Sequence, residues 1–492
     1  MTRRGILAVD EGSTGTRAAV VGEDGMSGPS FYTAVDVVHP EPSRVEQDAA
    51  QLLERTVDVA RQAIAWAGEN GVEIVGMSVC TQRATAILWD RETGRPLAPA
   101  VVWQDTRYAD ELAKLAPEWD PVLWERTGRP VGTRAPFLWA ARQLDQLDVP
   151  AERVLFGSVD TWLVWHLSGR TRYVMSATNA VAFGGYRLRE HAWDREWLAA
   201  LGFPAELAPP PVDDDGDFGR TDPGLLGIEV PIAAVMGDQH ASLIALGALT
   251  PGQGTCVHGT GTFVGALAGD EPPDGLGQVD GVLCLVGWRS AGHSRFSLEA
   301  YTSTTGSALR WLTEDLGLFR SAAEISELAA AQPGSTSTWF VPTLAGLRTP
   351  VQRPGARGLL TGLSLATTRD VVARAVLDGI AHAVSDTVDA LRTTMNRPVT
   401  RLRAGGGLAA SDVLLQSQAD FAGVEIERVA DSATASLRGA AYLAGVRLGV
   451  WPSLAEAVAN LGNGEVFEPR LPEDERRELR ARWQSVLAAS LS

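Results

Sequence analysis

The chain carries 492 residues, 45% of them apolar, and a formal net charge of −17. That length supports two or three domains with cores of their own, and the apolar share excludes a disordered chain. The acidic balance argues against a nucleic-acid partner or an anionic membrane, both of which reward clustered Lys and Arg. Cys80, Cys256 and Cys284 lie in apolar, strand-like runs without metal-ligand spacing, so they read as reduced core residues. The apolar run behind Thr2-Arg3-Arg4 ends at Asp10, too short for a secretory signal, and no stretch approaches a membrane span. A cytoplasmic protein without a membrane partner is the expectation.

Short apolar runs at 6–9 and 16–21 predict an opening hairpin around Asp10-Glu11-Gly12-Ser13-Thr14-Gly15-Thr16-Arg17. Leu52, Leu53, Val57, Ala60 and Ile64 recur at helical spacing, which predicts a helix over about 48–68 with Asp48 as N-cap. A strand follows at 74–80, then a hairpin from 85–89 through the turn 90–95 into 100–103. Strands and helices alternate thereafter, as an α/β domain requires. Pro209-Pro210-Pro211 with Asp213-Asp214-Asp215 reads as a rigid, solvated acidic loop. An apolar strand at 232–236 ends at Gly237-Asp238-Gln239-His240 and leads into a small-residue helix at 241–248. The run Gly247-Ala248-Leu249-Thr250-Pro251-Gly252 predicts a hinge. Beyond it the pattern restarts, with strands around 255–267 and helices at 305–316 and about 368–395. A strand at 400–404 then meets the glycine turn Gly405-Gly406-Gly407 before a helix near Ser411.

Two of these turns share one chemistry. In the run from Asp10 to Arg17, and in Gly259-Thr260-Gly261-Thr262 after Cys256-Val257-His258, Gly and Thr leave backbone N–H groups and hydroxyls free to face an anion. Neither is a Walker loop, because no Gly-Lys-Ser/Thr triplet follows, and neither keeps the dinucleotide spacing. Each alone reads as an ordinary hairpin loop. Together they predict a phosphate clamp between two domains, with Asp10 as a metal ligand. Asp238 at the mouth of its strand is placed to take a proton from a hydroxyl, or else caps the helix. His240 on the same turn is the weaker candidate base. Arg83 can fork onto vicinal hydroxyls and Trp103 can stack on a carbon chain, unless both serve a salt bridge and the core.

The order of these motifs resembles that of the FGGY family of carbohydrate kinases, and within it the glycerol kinase branch. The resemblance is carried by the run from Asp10 to Arg17, by Thr81-Gln82-Arg83, by Trp89-Asp90-Arg91-Glu92-Thr93-Gly94-Arg95-Pro96 and by Val102-Trp103-Gln104-Asp105. It continues through Phe156-Gly157-Ser158-Val159-Asp160-Thr161-Trp162, Thr178-Asn179-Ala180, Gly237-Asp238-Gln239, Gly259-Thr260-Gly261 and Ala440-Ala441-Tyr442-Leu443-Ala444-Gly445, nearly the whole chain. It implies an α/β fold of two actin-like (ribonuclease H-like) ATPase domains around a central cleft. Residues 1–247 then hold the acceptor site and the first phosphate loop, 253–447 hold the nucleotide site, and 448–492 are C-terminal helices packing back on the core. It also implies an ATP-dependent kinase with Mg2+ in the cleft. Asp10 faces the metal, Thr14 and Arg17 meet the terminal phosphates, Thr260 and Gly261 clamp from the other domain, and Gly306, Arg310, Gly407 and Ser411 hold the rest of the nucleotide. Asp238 becomes the general base, surrounded at the acceptor by Gln82, Arg83, Trp103, Arg134, Gln239 and Phe263. Dimers or tetramers are common in the family, so a homo-oligomer is the expectation.

Two acceptor-site positions depart from the branch pattern, besides Arg310, Ser411 and Val371 elsewhere. Ala84 stands where a carboxylate follows the pocket arginine, and Arg134 stands where the pocket has a tyrosine. A site that reads hydroxyls through hydrogen bonds loses on the order of 10⁴ in discrimination when such partners vanish. Alanine opens room and arginine adds donors, so the expected acceptor is a small polyol or sugar larger than glycerol. Glycerol itself ranks second and a ketopentose third. A catalytically silent sugar sensor on the same fold is the reading from another class.

Overall fold

Ile6, Leu7, Ala8 and Val9 have no exposed surface, the mark of a strand covered on both faces. The computed structural model describes residues 3–491 apart from 333, 335–336, 430–433, 460–461 and 463, and it supplies that cover. Strand Arg3–Glu11 lies between Val72–Thr81, which is parallel to it, and Gly15–Gly22, which is antiparallel. Ile232–Gly237 extends the parallel side and Phe31–Ala34 the other, giving five strands. Side chains alternate as strand geometry demands. Leu7 and Val9 join Leu52, Val59, Ala60 and Ala63 of helix Ala49–Glu69, while Ile6 and Ala8 meet Ile244, Leu437, Ala440 and Ala441 on the opposite face. Asp48 caps helix Ala49–Glu69 by accepting from the Ala50 N–H, as the spacing predicts.

The same strand order recurs in the second half. Gln253–His258 is central, with Arg401–Gly406 and Glu425–Arg428 in parallel register on one side and Thr262–Gly269 and His293–Thr302 added by antiparallel pairing on the other. Leu283–Ser290 and Glu465–Phe467 form the edges. A third sheet, including Ala86–Asp90 and Val154–Ser158, is inserted in the first half. Two mixed sheets of one topology, facing across a cleft, are the two-domain actin-like ATPase arrangement that the resemblance implies. Among the described residues, no helix is long and apolar enough to cross a membrane.

Several local expectations are corrected. The acidic run is not a solvated loop: Asp214 is fully buried, accepting from the Thr178 N–H and hydroxyl at 3.0 and 2.7 Å and from the Arg289 N–H at 2.7 Å, so it joins the two halves. Neighbouring acids disguise it, because a hydrophilic run looks the same whichever member turns inward. Residues 305–316 make helix Gly306–Arg310 and then a wider π-type turn, Trp311–Asp315. Gly405 and Gly406 belong to strand Arg401–Gly406, and Gly406 has φ 87° with no room for a Cβ beside the His258 carbonyl. The return strand expected at 100–103 shortens to Ala100–Val101. Within 448–492, strand Glu465–Phe467 accompanies helices Leu454–Val458 and Glu473–Ser490. Helix Ala435–Arg447, expected in the second half, packs on the sheet of the first, and Gly439 lets it touch the Ala241 backbone.

Candidate active site

Parallel strands place their carboxyl ends on one line, and here that line carries charge. Register sets Asp10 against Cys80 and Glu11 against Thr81, and sets Met236 and Gly237 against the same two residues. Asp10 therefore lies one residue before the end of the central strand, Gln82 and Arg83 leave the second, and Asp238 leaves the third. Gly237 is the N-cap of helix Asp238–Ala245, so Asp238 is not the cap but the first residue of the helix. Its carboxylate lies 3.5 Å from Arg83 Nε and keeps 28% exposure. Burial pushes it up to about 6 against the pull of Arg83, and Asp10 adds to the rise. Such a group is ionised at neutral pH yet basic enough to receive a proton. His240 is buried, neither ring nitrogen has a hydrogen-bond partner among the described residues, and burial then Arg83 hold its pKa low. It is neutral packing rather than a base.

Each half carries one small-residue loop at the end of its central strand. Gly12 donates to the Gly15 carbonyl at 3.0 Å and Gly259 to the Gly261 carbonyl at 2.8 Å. Thr14 is exposed while its carbonyl is held by the Val35 N–H at 3.1 Å. Arg17 pairs with Asp10 across the hairpin and lies 5.8 Å from the centre of the Tyr32 ring. Asp10 accepts from the Ser436 hydroxyl at 2.7 Å, and burial raises its pKa. On the other side the Thr260 carbonyl takes the N–H groups of Thr305 and Ser307, docking the loop on helix Gly306–Arg310. A Cβ at Gly261 would overlap the Thr302 carbonyl and one at Gly306 the Gly259 carbonyl, so both positions require glycine. Arg310 is exposed, and Gly407 faces open space. Ser411 differs: it is buried as the N-cap of helix Asp412–Ala422 and also accepts from Ser326 at 3.0 Å, so its hydroxyl is occupied.

At the acceptor side Gln82 is fully engaged within the protein. Its carbonyl accepts from Ser13 and Thr85 at 3.2 and 2.9 Å and its amide donates to Gln47 at 2.9 Å, so it braces the first loop. Trp103 Nε1 donates to Ser13 Oγ at 2.8 Å, and the Arg134 guanidinium lies 5.3 Å above its ring. Phe263 stacks on Tyr301 at 5.2 Å, and it lines one small cavity with Gln239 and Glu299. Sequence reasoning missed Glu299. It sits on strand His293–Thr302 of the second half, 3.0 Å from Arg83 Nη2. The carboxylate that position 84 lacks thus reaches Arg83 from across the cleft. An acid inside the run Phe296-Ser297-Leu298-Glu299-Ala300-Tyr301 was the available signal.

Carboxylates at the strand ends of one half and glycine loops from the other define a phosphotransferase of the actin-like class. The model of the FGGY family of carbohydrate kinases, N-terminal domain, matches residues 5–245, and that of the C-terminal domain matches 254–448. The chain belongs to the FGGY family and is a carbohydrate kinase, a phosphotransferase with an alcohol acceptor. It is 37% identical to a glycerol kinase of Aromatoleum aromaticum over 98% of both chains. It is 36% identical to a glycerol kinase of Thermus brockianus over 98% of this chain and 97% of that one. The backbone matches the crystal structure of Plasmodium falciparum glycerol kinase with ADP at a TM-score of 0.93 and 24% identity, covering 100% of this chain and 99% of that one.

Proposed function

We propose that this kinase transfers the terminal phosphoryl group of ATP to a primary hydroxyl of a short polyol, with Asp238 as general base. The observation that carries the reading is a carboxylate near 6 at a strand end, facing Arg83 and flanked by the loop of Asp10 to Arg17. The hydroxyl oxygen bonds to the γ-phosphorus, the bond from that phosphorus to the ADP oxygen breaks, and the hydroxyl proton passes to Asp238. A loose phosphoryl transition state needs alignment and charge neutralisation more than covalent help. Thr14, Arg17, Thr260 and Gly261 would face the phosphates, with Gly306, Arg310 and Gly407 around the rest of the nucleotide. Ser411 would act through its helix cap. Gln239 and Phe263 border the acceptor.

Asp10 fits a Mg2+ ion. It is a carboxylate whose ionised form burial disfavours and a cation would favour, and Mg2+ commonly takes one or two carboxylates with phosphate oxygens and water. When bound, the ion would neutralise phosphate charge.

The names of the curated relatives support glycerol over the longer polyol expected from sequence. Glu299 supports the same revision, because an arginine–carboxylate pair is present despite Ala84. The test is Mg·ATP-dependent ADP release across glycerol, tetritols, pentitols and ketopentoses, with Asp238→Asn as control. One strong acceptor and a silent Asn protein are expected; uniform slow background with every compound would leave a sensor role instead.

A further inference from the structure

The acceptor end of the cleft holds more positive charge than the proposed reaction uses. Three arginines, Arg83, Arg129 and Arg134, share this region with two carboxylates, Asp238 and Glu299. Arg83 engages both acids, Glu299 at 3.0 Å and Asp238 at 3.5 Å. Arg129 is buried and donates to neutral groups, the Val181 and Ala182 carbonyls at 3.3 and 2.7 Å. The Arg134 guanidinium carbon lies over the Trp103 ring, 5.3 Å from its centre, and the side chain has no carboxylate within ion-pair distance among the described residues. Its five N–H donors form a fork that matches a planar anion. Burial, then Arg134, then Arg83 push Arg129 down to about 9, and burial and Arg83 likewise depress Arg134. Since arginine keeps its proton at neutral pH, this repulsion persists, offset only in part by Glu299. Arg129 and Arg134 are neighbours: both line one small cavity of about 20 Å³, room for about one water.

We infer that the acceptor pocket is built for a polyol acid: a chain of glycerol's length or slightly longer, phosphorylated at a primary hydroxyl near Asp238 and carrying a carboxylate at its far end, held by the fork edge of Arg134 with Arg129 behind it. This rests on the kinase reading above and departs from it in one respect, replacing glycerol, the acceptor that the relatives' names favour, with its acid analogues. Glycerol, lacking the carboxylate, leaves Arg134 without an anionic partner and is the poorer acceptor.

Two measurements test the inference separately from that reading. Titration calorimetry with glycerate, erythronate, glycerol, erythritol and glycerol 3-phosphate reads binding without turnover. The acids are expected to bind on the order of 100-fold tighter than the neutral polyols, as a charge-assisted bidentate contact allows. ADP release then gives kcat/KM for each acceptor in the native protein and in Arg134→Gln and Arg134→Lys. The acid-to-neutral ratio should fall about 100-fold in Arg134→Gln and partly recover in Arg134→Lys. Tighter binding of glycerol than of both acids overturns the inference, as does a ratio unchanged by Arg134→Gln. A raised KM for ATP in Arg134→Gln with the acceptor ratio intact would assign the charge to the nucleotide and also overturns it; glycerol 3-phosphate, the product that glycerol would give, is the reference for product binding. Acid binding that depends on Arg134 without any ADP release would uphold the anion pocket while the kinase reading failed.

Discussion

In the first half the central strand ends in Asp10-Glu11 and its parallel neighbours run into Arg83 and Asp238. In the second half the corresponding places hold His258, Gly406 and Arg428. His258 is buried, bonded to the Thr262 hydroxyl at 2.8 Å and to the Gln418 amide at 3.2 Å, and burial keeps it neutral. Arg428 is paired with Asp412 and Glu465. One topology thus ends in an arginine–carboxylate pair in one copy and, in the other, in a neutral histidine, a glycine and an arginine held by its own neighbours. The shared sheet order brings strand ends together, and the residues at those ends decide what chemistry each half can offer.

The largest expected effect separates the two halves. Asp238→Asn should lower kcat by about 10²–10⁴-fold while calorimetry shows ATP binding retained; loss of ATP binding would break the division. The same group sets a pH limb. Its carboxyl is raised from the ordinary range to about 6, and only the ionised form accepts a proton, so kcat/KM should be full well above 6 and fall as pH drops through about 6.

Next in size is the strut between the halves. Asp214→Ala leaves the Thr178 and Arg289 N–H groups without their acceptor, which should lower stability by about 2–3 kcal/mol, read as a lower urea midpoint. An unchanged midpoint would mean that the halves do not rely on that joint. Gly306→Ala, whose Cβ would overlap the Gly259 carbonyl, should raise KM for ATP about 10-fold and leave the acceptor KM unchanged. A change in the acceptor KM would show that Gly306 is not confined to the nucleotide. The smallest effect belongs to Glu299→Gln, with kcat/KM for the acceptor down about 10-fold or less. Removing that charge, and freeing Arg83 for Asp238, both favour the Asp238 carboxylate, so the acid limb should move to lower pH. Movement to higher pH would break the link drawn across the cleft.

Several features were legible because they are local. Asp48 predicts its own cap, the apolar run at 6–9 predicts a strand, and the paired glycine loops predict two halves, each from neighbours within a few residues. Asp238 was legible as a candidate because a strand-to-helix junction is written contiguously. Glu299, Ser436 and the inward turn of Asp214 were not, since each acts on a residue far away in sequence. The three-residue strand Glu465–Phe467 was too short to show a period.

By itself the sequence determined the elements, the repeated half and the motif order that places this chain among the FGGY kinases, because periodicity and turn chemistry act over short stretches. Only the tertiary structure decided which charges meet: the register that lines up Asp10, Arg83 and Asp238, the return of a carboxylate to Arg83 through Glu299, and the unmatched guanidinium of Arg134. Electrostatic interaction depends on distance and burial, and folding sets both between residues that the chain keeps far apart.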